Sequence, residues 1–87
     1  MNGARLLQVH IAPAARHEGR PLHEVLVEKC RELGLSGATV FHGLDGTVVL
    51  TVDTAERIAS AAAAFEPLLG EGAMAIEEVR VTRVRKG

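Results

Sequence analysis

The sequence predicts an α+β sandwich: a four-stranded antiparallel sheet with two helices on one face. Three observations carry that prediction. Apolar residues dominate or alternate in four short runs, two further runs repeat at helical spacing, and the runs follow one another in the order β-α-β-β-α-β. Two right-handed crossovers then place both helices on the same face of the sheet and leave the other face open. This is the ferredoxin-like split βαβ arrangement.

The first strand is read over Leu6 to Ala12, where Leu7, Val9 and Ile11 alternate with Gln8 and His10. Pro13 ends it, and Ala14 to Gly19 reads as a loop. Pro21 stands where a helix begins, as a proline at its first position. Leu22, Val25, Leu26, Cys30 and Leu33 then trace a stripe at helical spacing, interrupted by Lys29. Gly34 stops this helix at the position that tolerates positive φ.

A second strand, Ala38 to Leu44, and a third, Thr47 to Val52, flank Asp45-Gly46, the pair expected in a type I′ hairpin turn. Asp53-x-x-Glu56 has the spacing of a capping box. The helix behind it is expected to run to about Leu69, with Ile58, Ala62, Phe65 and Leu69 on one face. Gly70-Glu71-Gly72 breaks it. Ile76, Val79, Val81 and Val84 mark a fourth strand, and the change of parity after Val81 predicts a bulge or a frayed end.

Composition narrows the functional classes. The chain has 87 residues, 47% of them apolar, which suits one globular domain spanning 1–87. A chain this short buries only roughly 60% of its unfolded surface. Several residues of the open sheet face are apolar, so self-association through that face is expected, as a homotrimer. Ten basic and eleven acidic residues give a net charge of −1, which excludes a protein whose main work is neutralising nucleic-acid phosphates. Two Phe, with no Trp or Tyr, leave almost no material for a stacking platform for single strands. No run approaches the roughly 18 apolar residues of a membrane span, so the chain is not expected to insert in a membrane. The single cysteine, Cys30, excludes an internal disulfide, and the absence of an export signal points to the cytoplasm.

Glu18-Gly19-Arg20-Pro21-Leu22, the helix that follows, Gly34-Leu35-Ser36-Gly37-Ala38-Thr39-Val40 and then Gly43-Leu44-Asp45-Gly46 closely resemble the PII-like family known as domain of unknown function 190. Val48 to Ile58, and Gly70-Glu71-Gly72 with Ile76 to Val79, are similar to later parts of the same family, so the resemblance covers about Leu6 to Arg85. It implies a trimer built like the PII signal proteins, with an adenine nucleotide (ADP, AMP or ATP) bound in clefts between subunits. It also implies a regulated partner, such as a membrane transporter, contacted through a long loop between the second and third strands. The chain departs from the family there. Gly46 runs straight into Thr47, so the signalling loop is absent. This raises a second expectation, a structural or interaction trimer that has lost nucleotide signalling with its loop.

The expected ligand-binding residues are Gly43, Gly70, Gly72, Arg83 and Arg85. Arg80, Arg83, Arg85 and Lys86 form a basic end, and a guanidinium fork suits phosphate. Backbone N–H groups around Gly70 and Gly72 could cradle a phosphate, although Ala73-Met74-Ala75 stands where PII proteins carry a lysine. Gly43 permits close approach at a strand end. No catalytic constellation is present, no cofactor is required, and no enzyme activity is expected. Cys30, on the apolar stripe, reads as a buried structural thiol. Glu24, Glu28 and Glu32 read as a solvated helix face. His10, His17, His23 and His42 lack the spacing of a helical metal site, and His10 and His42 fall on strands that are not neighbours, so no metal site is expected.

Overall fold

A computed structural model describes residues 3–84. The chain runs β1 (Ala4–Ile11), β2 (Arg16–His17), β3 (Arg20–Pro21), α1 (Leu22–Glu32), β4 (Thr39–His42), β5 (Thr47–Thr54), α2 (Ala55–Phe65), a 3₁₀ turn (Glu66–Leu68) and β6 (Ala73–Val79). The main sheet has the order β4-β5-β1-β6 and is antiparallel throughout. With the two helices, this is the ferredoxin-like α+β architecture.

Period-two alternation decides what each strand buries. Leu7, Val9 and Ile11 of β1 and Val49 of β5 face the helices, where they meet Leu22, Leu26 and Cys30 of α1 and Ile58, Ala61 and Phe65 of α2. Val25, Leu33, Val40 and Met74 pack around the edge of this core. The apolar stripe of α1 is therefore used as its spacing predicts, and Lys29 escapes it by pairing with Glu32 at 2.8 Å.

Polar groups in the core are few and each has a partner. Thr51 donates its hydroxyl to the Gly37 carbonyl at 2.6 Å. Asp53, only 1% exposed, accepts from the Ser36 N–H and hydroxyl at 2.9 and 3.0 Å and from the Thr54 N–H at 2.8 Å. These bonds tie the α1–β4 loop to β5. Burial alone would push the Asp53 carboxyl up, but the hydrogen bonds from Thr54 and Ser36, helped by nearby Arg57, hold it below the usual carboxylate range.

The helix ends show where local expectation and structure part. Helix α1 closes as a Schellman motif: Gly34, at φ +74, donates to Arg31, and Leu35 donates to Cys30. Its start is one residue later than expected, with Pro21 as the cap residue rather than the first helical one. Helix α2 is capped by Thr54, whose Oγ1 accepts from the Arg57 N–H at 3.2 Å. Asp53 is not the cap, because β5 continues to Thr54 and the Asp53 carboxylate is committed to Ser36. Helix α2 stops at Phe65 and not at Leu69, since Pro67 cannot extend an α-helical hydrogen-bond ladder and the chain tightens into a 3₁₀ turn.

The type I′ expectation at Asp45-Gly46 is also corrected. Pairing of β4 with β5 ends at His42 opposite Thr47, leaving the four-residue connection Gly43-Leu44-Asp45-Gly46. Neither Asp45 nor Gly46 has positive φ. Gly43 donates to the Gly46 carbonyl at 2.8 Å, and Leu44 and Asp45 make the corner. Two consecutive residues of positive φ, as a type I′ turn requires, occur instead at Glu18 and Gly19. There the β2–β3 ladder leaves a two-residue turn inside the segment read as a loop. Strand β6 runs from Ala73 to Val79 and so stops short of Val81 and Val84, which the sequence pattern placed on it.

Candidate functional site

One end of the sheet gathers three glycines. The last residues of β1, the β4–β5 connection and the start of β6 meet there around a cleft of about 620 Å³. Its walls include His10, Ile11, Gly43, Leu44, Gly46 and Gly72. The glycines are there for space. A Cβ on Gly72, which sits at φ +149, would stand 2.6 Å from the His10 carbonyl oxygen. On Gly46 it would stand 3.2 Å from the Ile11 carbonyl oxygen, and on Gly43 3.3 Å from that of Gly46. At Gly72 the backbone crossing excludes a side chain, at Gly46 and Gly43 a Cβ would be tightly contacted, and the cleft floor is main chain.

The wall chemistry is mixed. Ile11, Ala12, Leu44, Val48 and Ala73 supply apolar surface. His10 and Asp45 are the ionisable side chains among the lining residues. His10 Nε2 lies 3.3 Å from Gln8 Oε1, and Gln8 in turn donates to Glu77 Oε1 at 2.8 Å, so a polar row crosses the open face beside the cleft.

Of the residues expected to bind a ligand, Gly43 and Gly72 meet in this cleft. Gly70 is exposed two residues before it, with no atom within 4 Å of the place a Cβ would occupy. The basic residues lie elsewhere. Arg80 borders a groove with Gly3, Arg5 and Glu78 at the far end of the sheet, since Arg5 of β1 pairs with Glu78 of β6. Strand β6 separates the two ends by roughly 20 Å. Arg83 is exposed three residues further on, and Arg85 lies outside the described residues. Within one chain Gly43 and Gly72 lie at the opposite end of the sheet from Arg80. Gly46 was legible only as a turn residue; its close approach to Ile11 follows from sheet order and carries no local signal.

Two other groups are settled by their surroundings. Cys30 is buried, and that burial pushes its thiol up and away from the reactive thiolate. The rings of His23 and His42 stand 4.8 Å apart, nearly perpendicular. Their positions are 19 residues apart in sequence, so spacing alone gave no hint of the pair. Among the described residues no group of three or more His, Cys, Asp or Glu converges as a metal centre, and no helix is long and apolar enough to cross a membrane.

These features define a small ferredoxin-like α+β domain with a glycine-floored cleft at one end of its sheet. The model of DUF190, a family described as an uncharacterized ACR, matches residues 4–49, just over half of the chain, and the chain belongs to that family. A UPF0166 protein of Aquifex aeolicus (strain VF5) is 38% identical over 42 residues, which cover 48% of this chain and 40% of that relative. The family match takes in β1, α1, β4 and the start of β5, and with them Gly43 and Gly46. Gly72 and Arg83 lie beyond it.

Proposed function

We propose that this protein is a small regulatory module that binds an adenine nucleotide, without catalysis, between copies of itself. The observation that carries the reading is the division of the candidate site. The glycine-floored cleft and Arg80 occupy opposite ends of one sheet, so a site using the cleft and the basic end of the chain would draw on two chains. In that arrangement the apolar surface of Leu44 and Val48 takes the adenine, with the exposed His10 ring beside it. Main-chain N–H groups near Gly72 and Arg83 of the partner subunit hold the phosphates. The resemblance to PII-like proteins supports a trimer, and the single unpaired cysteine supports a cytoplasmic setting. The open face supports self-association: Leu6, Val48, Leu50 and Val52 are only half-buried on it, and Phe41 is 56% exposed.

A second reading, a structural or interaction trimer without nucleotide binding, is favoured by the short β4–β5 connection and by the absence of a lysine after Gly72. Calorimetric titration with ADP, AMP and ATP, on protein whose oligomeric mass is measured in the same sample, separates the two. One nucleotide bound per chain, lost in Arg83→Ala while the oligomer persists, supports the binding module. An intact oligomer that takes up none of the three nucleotides leaves the structural trimer.

A further inference from the structure

We propose that the outer edge of β6 docks a second copy of this chain, the two edges pairing antiparallel about a two-fold axis at Val79. Among the described residues β6 pairs with β1 on one side, and no strand lies on its other side. The pairing with β1 is unbroken from Ala73 to Val79, so the edge carries no bulge, and it contains no proline. An edge left regular in this way presents a row of main-chain donors and acceptors to another strand. Beyond Val79 the chain continues as Arg80-Val81-Thr82-Arg83-Val84, rich in strand formers yet without regular structure, and Val84 is 88% exposed. The docked edge runs on through this segment.

Charge selects both the occupant and the register. Two antiparallel edges related by a two-fold axis keep the same face uppermost, so each residue stands opposite one of its own parity in the second copy. Centring the axis on Glu77, Glu78 or Arg80 sets that residue against itself, and like charges directly opposed are destabilising. Centring it on Ile76 sets Glu78 against Met74. Centring it on Val79 sets Glu78 against Arg80 twice, once from each copy, and Ile76 against Thr82. Glu77 then stands diagonal to Arg83, within reach of a long side chain. Glu78 has room for the new partner: its side chain is 81% exposed although it pairs with Arg5 at 3.2 Å, and Arg80 borders the same groove. The acidic and basic parts of this edge are therefore complementary to the same edge reversed. Two four-stranded sheets merge into one, with the helices of both copies on one side. The pairing uses neither the glycine-floored cleft nor the open face, so it stands apart from nucleotide binding and from association through that face.

The test is mild oxidation of the full chain carrying Val79→Cys. At the axis the two residues oppose each other at roughly 4.5–5.5 Å between Cα atoms, a distance that a disulfide spans. Expected is a covalent dimer from Val79→Cys but not from Ile76→Cys alone, whose two copies would lie about 20 Å apart along the ladder. Mixing Ile76→Cys with Thr82→Cys should restore cross-linking. In sedimentation Arg80→Glu should weaken the dimer by at least roughly tenfold, and adding Glu78→Arg to the same chain should recover it. Leu50→Lys, on the open face, should leave the Val79→Cys cross-link unchanged. Circular dichroism confirms that the variants fold, and the parent, with its buried Cys30, sets the background. No cross-link through Val79→Cys, equal cross-linking through Ile76→Cys alone, or a Val79→Cys cross-link abolished by Leu50→Lys overturns the proposal.

Discussion

Replacing Gly72 by alanine tests the reading of the cleft floor most directly. The new Cβ would stand 2.6 Å from the His10 carbonyl oxygen, about 0.8 Å inside the 3.4 Å at which ordinary contact begins. The obstacle is backbone held in the sheet, because His10 pairs with Val48 on one side and Ala73 on the other. Relief requires β6 to move away from β1 at its first pair. To this is added the strain of an L-residue at φ +149, about 1–3 kcal/mol. With a further contribution from overpacking, the loss comes to about 2–4 kcal/mol, or roughly 10–25 °C in melting temperature for a chain of this size. The assay is thermal and urea unfolding followed by circular dichroism, with Gly70→Ala as the paired control. Gly70 has no left-handed φ, and the place its added methyl group would take has no atom within 4 Å. Its variant should therefore lie within about 0.5 kcal/mol of the parent. Equal stability of the two variants would refute the argument that backbone crossing fixes Gly72.

Other outcomes follow from the same geometry. Asp53→Ala strands the Ser36 and Thr54 N–H groups and should cost about 2–4 kcal/mol, read from urea midpoints. The Asp53 carboxyl is held low in the folded state, so its contribution is complete above the unfolded value of about 3.9 and is lost as pH falls below that value. A shallower acid limb in Asp53→Asn would show it. Phe65→Ala empties a fully buried site and should cost about 3–5 kcal/mol by the same unfolding measurement. Cys30 should react with a thiol reagent only at the rate of unfolding, and fast labelling in native buffer would contradict its burial. If the proposed self-association uses the open face, Leu50→Lys there should lower the mass measured in sedimentation without unfolding the chain, and an unchanged mass would refute that use of the face.

The elements were legible in the sequence because their signals are local. Leu7, Val9 and Ile11 alternate, Leu22, Leu26 and Cys30 repeat at helical spacing, and Gly34 takes the left-handed position its identity suggests. Expectations failed where two local signals competed. Asp53 and Thr54 are both good caps, and tertiary pairing with Ser36 assigned the capping to Thr54. Asp45-Gly46 and Glu18-Gly19 both suit a tight turn, and the length of strand pairing chose the second. The site was less legible. Gly43 and Gly72 meet only because β1 lies between β5 and β6, and His23 meets His42 only because α1 packs over the end of β4.

The four-residue connection between β4 and β5 makes this chain a host for inserted sequence. Leu44 at its tip is fully solvent-exposed, and the pairing of His42 with Thr47 closes the ladder beneath it. Lengthening such a connection about sixfold costs only about 1.6 kcal/mol of closure entropy, because that cost grows with the logarithm of loop length. A reporter peptide or a sensing epitope grafted between Leu44 and Asp45 would ride on a rigid two-strand stem, and the sheet below would keep its register.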